Sequence, residues 1–125
     1  MTNTPNLAKK NLSHVNLAKA NLAGADLHEA NLREATLTET NLEGADLTAA
    51  DLTHANLGGA SLRDASAAHA NLQDADLRDV DLEGADLRGA HLGGAKLRDT
   101  ERAIAELAGA DFAQRAADGS ATSDQ

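Results

Sequence analysis

The chain has 125 residues, the length of one domain, and its 42% hydrophobic content is nearly all Ala and Leu, with no Cys, Trp or Tyr. A core of two side-chain shapes packs closely only in a regular arrangement, which excludes an ordinary mixed globular interior. Lack of cysteine excludes disulfides and thiolate chemistry, and a formal charge of −9 argues against direct nucleic-acid binding, which needs clustered cations.

Residues 1–5, Met1 to Pro5, read as a short N-terminal extension without the apolar stretch of a leader. No apolar run approaches the ~20 residues that span a bilayer, so a cytoplasmic protein with no membrane contact is expected.

From residue 7 onward every leucine falls on a step of five, and Phe112 keeps the step; only Ala67 and Arg102 depart from it between 7 and 112. Five residues turn an α-helix by about 500°, so these leucines would spiral around it instead of lining one face. On a continuous strand an odd step would send them to alternating faces. Ala two places before Leu, as in Ala20-Asn21-Leu22 and Ala85-Asp86-Leu87, resolves the conflict. Two apart in extended chain, both side chains point the same way, and the chain must turn before the next Ala. Repeated turns of one hand close a coil with Leu and Ala inside. The number of sides per coil stays open on spacing alone.

The pattern Ala-(Asp/Asn)-Leu-x-x over residues 6–99 resembles the pentapeptide-repeat family. Asn or Asp precedes the Leu position at 14 of 19 sites from 6 to 96, with Thr36, Ser61, Ser66, His91 and Lys96 departing. The resemblance implies an all-β fold, a right-handed quadrilateral parallel β-helix with four five-residue sides per coil. At about 4.8 Å per coil, roughly 4.7 coils give a rod roughly 23 Å long. Residues twenty apart then stack, so Lys9, His14, Lys19 and Gly24 meet Glu29, Glu34, Glu39 and Gly44. Glycines at 24, 44, 59, 84, 89 and 94 follow Leu by two, the third position of a type II turn, where φ is positive. Glu, Asp, Lys or His at that position predicts a different turn type there.

Two irregularities and one end stand out within 6–114. Lys10 occupies an inward Ala position, which predicts an end of the rod open to water. Ala67 occupies a Leu position, which predicts a small void or an inward shift, with a kink or cleft as the sharper reading. After an irregular 100–104, residues 105–114 read either as two further repeats or as part of a cap helix from Thr100 to about Arg115, with Ile104, Leu107 and Ala108 packed on the last coil. Residues 115–125 read as a flexible tail.

Chemistry is sparse. His14, Glu34 and His54 share a column, a weak arrangement for a transition metal and equally an exposed row of alternating partners. Gly89 and Gly94 have the glycine spacing of a phosphate-binding loop, but Ala95 stands where its Lys must follow. No catalytic residue, metal or cofactor is therefore expected, and the chain reads as non-enzymatic.

The acidic surface remains as the candidate site. Asp26, Asp46 and Asp86 fall in one column, with Glu43, Asp64, Asp81 and Glu83 on the adjoining side. These residues predict a rigid surface for an unidentified protein partner. Some members of the family mimic duplex DNA and bind DNA gyrase, protecting it from quinolones, and that is the alternative. Residues 6–99 carry 15 acids and 9 bases, a net of −6, against about 13 charges on a duplex roughly 23 Å long. A monomer or an end-to-end homodimer fits the sequence, with Phe112 as the dimer contact.

Overall fold

A computed structural model describes residues 4–113. The proposed tail over 115–125 lies outside the described residues, as do Met1 to Asn3 of the extension. Parallel bridges join residues twenty apart, from Asn6 with Asp26 through Asp76 with Lys96, so each coil comprises four five-residue sides.

One repeat shows why this sequence folds this way. Asp46 N–H donates to the Ala25 carbonyl of the preceding coil at 2.9 Å, and Leu47 N–H to the Ser66 carbonyl of the following one at 2.6 Å. Ala49 N–H reaches forward to Ala68 at 2.9 Å, and Ala50 N–H closes the turn on the Leu47 carbonyl at 3.0 Å. That leaves Thr48 N–H, which the Asp46 side chain accepts at 2.9 Å. All five amide donors are satisfied, the last only because the residue before Leu carries a short side chain with an acceptor oxygen. Asn does the same at Asn31, Asn41 and Asn71, with bonds of 3.1, 3.0 and 3.0 Å to the residue two ahead. At Ser61 the substitute bond is longer, 3.4 Å.

The turn expectation needs correction. Non-glycine residues two after Leu also have positive φ, from 57° at Glu39 and Asp64 to 65° at Asp79, beside 69–75° at the six glycines of the coil turns. The cause is the stack. In each such turn the third amide donates to the second carbonyl of the turn above, as in Glu34 to Thr53 and His54 to Gln73 at 2.9 and 3.0 Å. A turn with its central peptide flipped would lose that bond, so the ladder holds non-glycine residues in a conformation that costs about 1–2 kcal/mol each.

The inward Leu and Ala form a continuous core from Leu22 to Leu92. Ala67 is buried within it, and its backbone is regular: Ala67 N–H reaches Asp86 at 2.7 Å and Ala70 N–H closes on Ala67 at 3.0 Å. The chain is not kinked there. Thr40, at an inward Ala position, is fully buried and donates its hydroxyl to the Leu17 carbonyl at 2.8 Å. Lys10 is exposed and Leu7, Leu12 and Leu17 are only half-buried, as an open rod end requires.

At the other end the coil gives way to one helix, α1, Asp99–Leu107. Residues 100–104, expected to be irregular, are helical, and the chain then rejoins the coil, where Asp111 bridges His91. The helix therefore stands in for about two repeats, and neither C-terminal alternative holds over its full length. Its packing also differs from the expected cap. Ala105 is the buried residue and Ala108 packs half-buried against the core as expected, while Ile104 is 39% and Leu107 90% exposed. Glu101 makes the junction. The helix takes the Arg98 carbonyl for Arg102 N–H at 2.9 Å, the carbonyl that a regular coil would offer to Asp79 N–H. Glu101 Oε2 accepts Asp79 N–H instead at 2.7 Å, while Oε1 accepts Arg98 N–H at 2.9 Å. No helix among the described residues is long and apolar enough to cross a membrane.

Candidate interaction surface

The coil fixes where each acidic side chain emerges. Asp26, Asp46, Ser66 and Asp86 run up one edge through successive bridges, as the twenty-residue period predicts. On the adjoining side Glu43, Arg63 and Glu83 hold equivalent turn positions in successive coils, with Asp64 beside Arg63.

These acids are not an unbroken anionic strip. Asp26 Oδ1 lies 2.6 Å from His28 Nδ1, and Asp86 Oδ2 lies 2.7 Å from Arg88. Arg63 Nη1 spans Asp81 and Glu83 at 3.1 and 3.0 Å. The His28 hydrogen bonds lower the Asp26 pKa, and the Arg88 hydrogen bonds hold Asp86 at about 2. Asp81 is lowered by the Glu83 amide and then by Arg63. Among the described residues, Glu43, Asp46 and Asp64 have no cation within ion-pair distance.

These compensating cations were the missed feature. Their signal was present: in Asp26-Leu-His28, Asp76-Leu-Arg78 and Asp86-Leu-Arg88 a basic residue stands two after the acid, where it folds back over the turn. The histidine column expected from the sequence does not converge. His14 pairs with Glu34 at 3.7 Å, and His54 turns instead to Asp74 at 3.6 Å.

Phe112 is half-buried against the core, and the Arg102 guanidinium lies 4.1 Å above its ring centroid. That face of the ring is already covered, which weakens Phe112 as a dimer contact. Leu107 is more exposed than Ile104 at this end; it kept the five-residue step but lies in α1, so the step did not turn it inward.

A family model described as pentapeptide repeats matches residues 11–48, 45–84, 68–101 and 75–114, in eight copies. No curated protein sequence matches. Among solved structures, the chain is similar to HetL, a pentapeptide repeat protein involved in heterocyst differentiation regulation from the cyanobacterium Nostoc sp. strain PCC 7120. Identity is 38% over 71% of this chain and 41% of that one, with a TM-score of 0.70. The pentapeptide repeat protein Rfr23 from the cyanobacterium Cyanothece 51142 is 39% identical over 75% of this chain and 60% of its own, at 0.62. A pentapeptide repeat protein of the Arabidopsis thaliana thylakoid lumen is 29% identical over 96% and 86%, at 0.63. The chain thus spans less than two thirds of the first two proteins' length. Structural neighbours of this kind are right-handed quadrilateral β-helices. With repeats matched over most of its length and the twenty-residue bridge register in place, the chain belongs to the pentapeptide-repeat family.

Proposed function

We propose that this right-handed four-sided β-helix is a non-enzymatic interaction module that offers a rigid acidic surface to a basic segment of a protein partner. The observation that carries this reading is the contrast among the acids of this surface. Among the described residues Glu43, Asp46 and Asp64 have no cation within ion-pair distance, whereas Asp26, Asp81, Glu83 and Asp86 each have one. The turns that present them are held by the inter-coil ladder, so little ordering entropy is lost when a partner docks. The same compensation argues against duplex mimicry, because a gyrase-binding surface requires anions left free for the enzyme's cations.

The test uses a Lys/Arg-rich decapeptide and fluorescence anisotropy. Binding that weakens with salt and falls at least tenfold in the triple variant Glu43→Gln, Asp46→Asn, Asp64→Asn supports the reading. Equal affinity of the triple variant would overturn it. A gyrase supercoiling assay forms the second arm. Inhibition at micromolar protein, lost when Asp26, Asp46 and Asp86 become Asn, would replace this reading with the DNA-mimic one.

A further inference from the structure

We propose that Asp26, His28 and Asp46 form a binding site for a divalent transition-metal ion of the zinc, cobalt and nickel class. One ligand atom from each residue lies within 4.8 Å of the others, and the three form the only such group among the described residues. All three are half-buried, and the coil rather than a loop fixes their backbones.

The second line of support is independent of that geometry. Residues twenty apart stack in this fold, and like charges stacked on neighbouring strands destabilise each other. Over residues 6–98 the acids avoid this everywhere but once, the other like-charge pair being Arg78 with Arg98. Glu29 stacks with Ala49, Glu34 with His54, Glu39 with Gly59, Glu43 with Arg63, Asp51 with Asn71, Asp64 with Gly84 and Asp76 with Lys96. The bridge between Asp26 and Asp46 is the one place where carboxylate meets carboxylate. Two stacked carboxylates in a chain that otherwise avoids them call for a cation. The nearest protein group is the His28 imidazole, with Nδ1 2.6 Å from Asp26 Oδ1.

The donor set selects the metal. One imidazole nitrogen and two carboxylate oxygens suit zinc, cobalt and nickel, whereas magnesium and calcium favour all-oxygen shells. Metal–ligand bonds of about 2.0–2.2 Å require the side chains to close by small rotations about χ1 and χ2. The remaining coordination positions face solvent and are open to water or to a ligand atom from another molecule. The proposal shares Asp46 with the basic-peptide reading and differs from it in His28, so His28→Gln tests the metal site without touching the acids that would meet a basic peptide.

The experiment is calorimetric titration of the tag-free chain with zinc chloride, with magnesium chloride as the control. One equivalent bound at micromolar affinity is expected, with no heat from magnesium. His28→Gln and Asp46→Asn should each weaken zinc binding at least tenfold, and Asp86→Asn should leave it unchanged. Asp46→Asn retains an acceptor for Thr48 N–H, so its fold is preserved, and far-ultraviolet circular dichroism verifies this. No zinc binding, equal binding by the His28 and Asp46 variants, or binding lost on changing His14 or His54 instead would each overturn the proposal.

Discussion

Ala67 offers the cleanest measurement of what the core repeat contributes. The residues stacked in its column are Leu27, Leu47 and Leu87, and all four are at most 1% exposed. The ladder at 67 is as regular as its neighbours, so the coils have not closed over the missing atoms. A leucine there would meet the same backbone that holds leucine one coil above and one below. Ala67→Leu buries three more carbons, and at about 0.8 kcal/mol per methylene the gain is about 2.4 kcal/mol. For a chain of this length, about 3–5 °C accompanies each kcal/mol, so Tm should rise by roughly 7–12 °C. Thermal unfolding followed by circular dichroism at 218 nm suits a chain without tryptophan. The reverse change, Leu47→Ala, should cost about 2.7–5 kcal/mol, more than the first returns, because it adds a cavity to the lost transfer term. An unchanged or lower Tm for Ala67→Leu would show that neighbouring side chains already fill the column, and the reasoning would fail.

Glu101→Ala removes the acceptor for both Asp79 and Arg98 amides, so those two amides should exchange faster, with a local loss of about 1–2 kcal/mol; unchanged protection would refute the junction role. Asp76 is held at about 2 by hydrogen bonds from Arg78, below its ordinary 3.8. Its folded-state value is depressed, so its stabilisation is present above about pH 4 and is lost as pH falls from 3.8 towards 2. Asp76→Asn keeps an Asx acceptor and should flatten the acid limb of the Tm–pH curve over that window. Leu107→Ser should leave monomer stability within about 0.5 kcal/mol, because the side chain is 90% exposed, and should abolish any concentration-dependent mass in light scattering. Phe112→Ala should instead lower Tm without altering mass, since it loses core contacts and the Arg102 stack.

The coil was legible because two constraints coincide in every repeat. Leu and Ala two apart must share a face, and the Asn or Asp between them must supply an acceptor for the amide two residues ahead. The stacking of Lys9, His14 and Lys19 under Glu29, Glu34 and Glu39 followed from the twenty-residue period. Three features were not legible, each for a physical reason. The turn at Glu34 or Asp64 carries a local preference against positive φ, and the inter-coil ladder overrides it. Residues 99–107 keep the five-residue step in Leu107 while favouring a helix through Glu101 and Ala105, so the two periodicities conflict and the helix prevails. The acidic columns counted acids alone, whereas cations compensate them both two residues along the chain, from Arg88 to Asp86, and across coils, from Arg63 to Asp81 and Glu83.

The position before leucine also explains how this scaffold separates fold from function. Asn and Asp both place an oxygen where the amide two ahead needs an acceptor, as the bonds from Glu43 N–H to Asn41 and from Thr48 N–H to Asp46 show at 3.0 and 2.9 Å. The repeat therefore fixes the acceptor and leaves the charge free. Charge at that position is then set by what lies twenty residues away and by what the surface must meet. Across most of the chain the first condition suffices, since acid stacks on base, hydroxyl, amide or glycine. At Asp26 and Asp46 it does not, because either residue could be Asn with the ladder intact, and both are charged. A surface residue whose charge the fold neither requires nor compensates is where function is to be sought. On that criterion Asp46 ranks first: it stacks on a second carboxylate and lies beside the His28 imidazole.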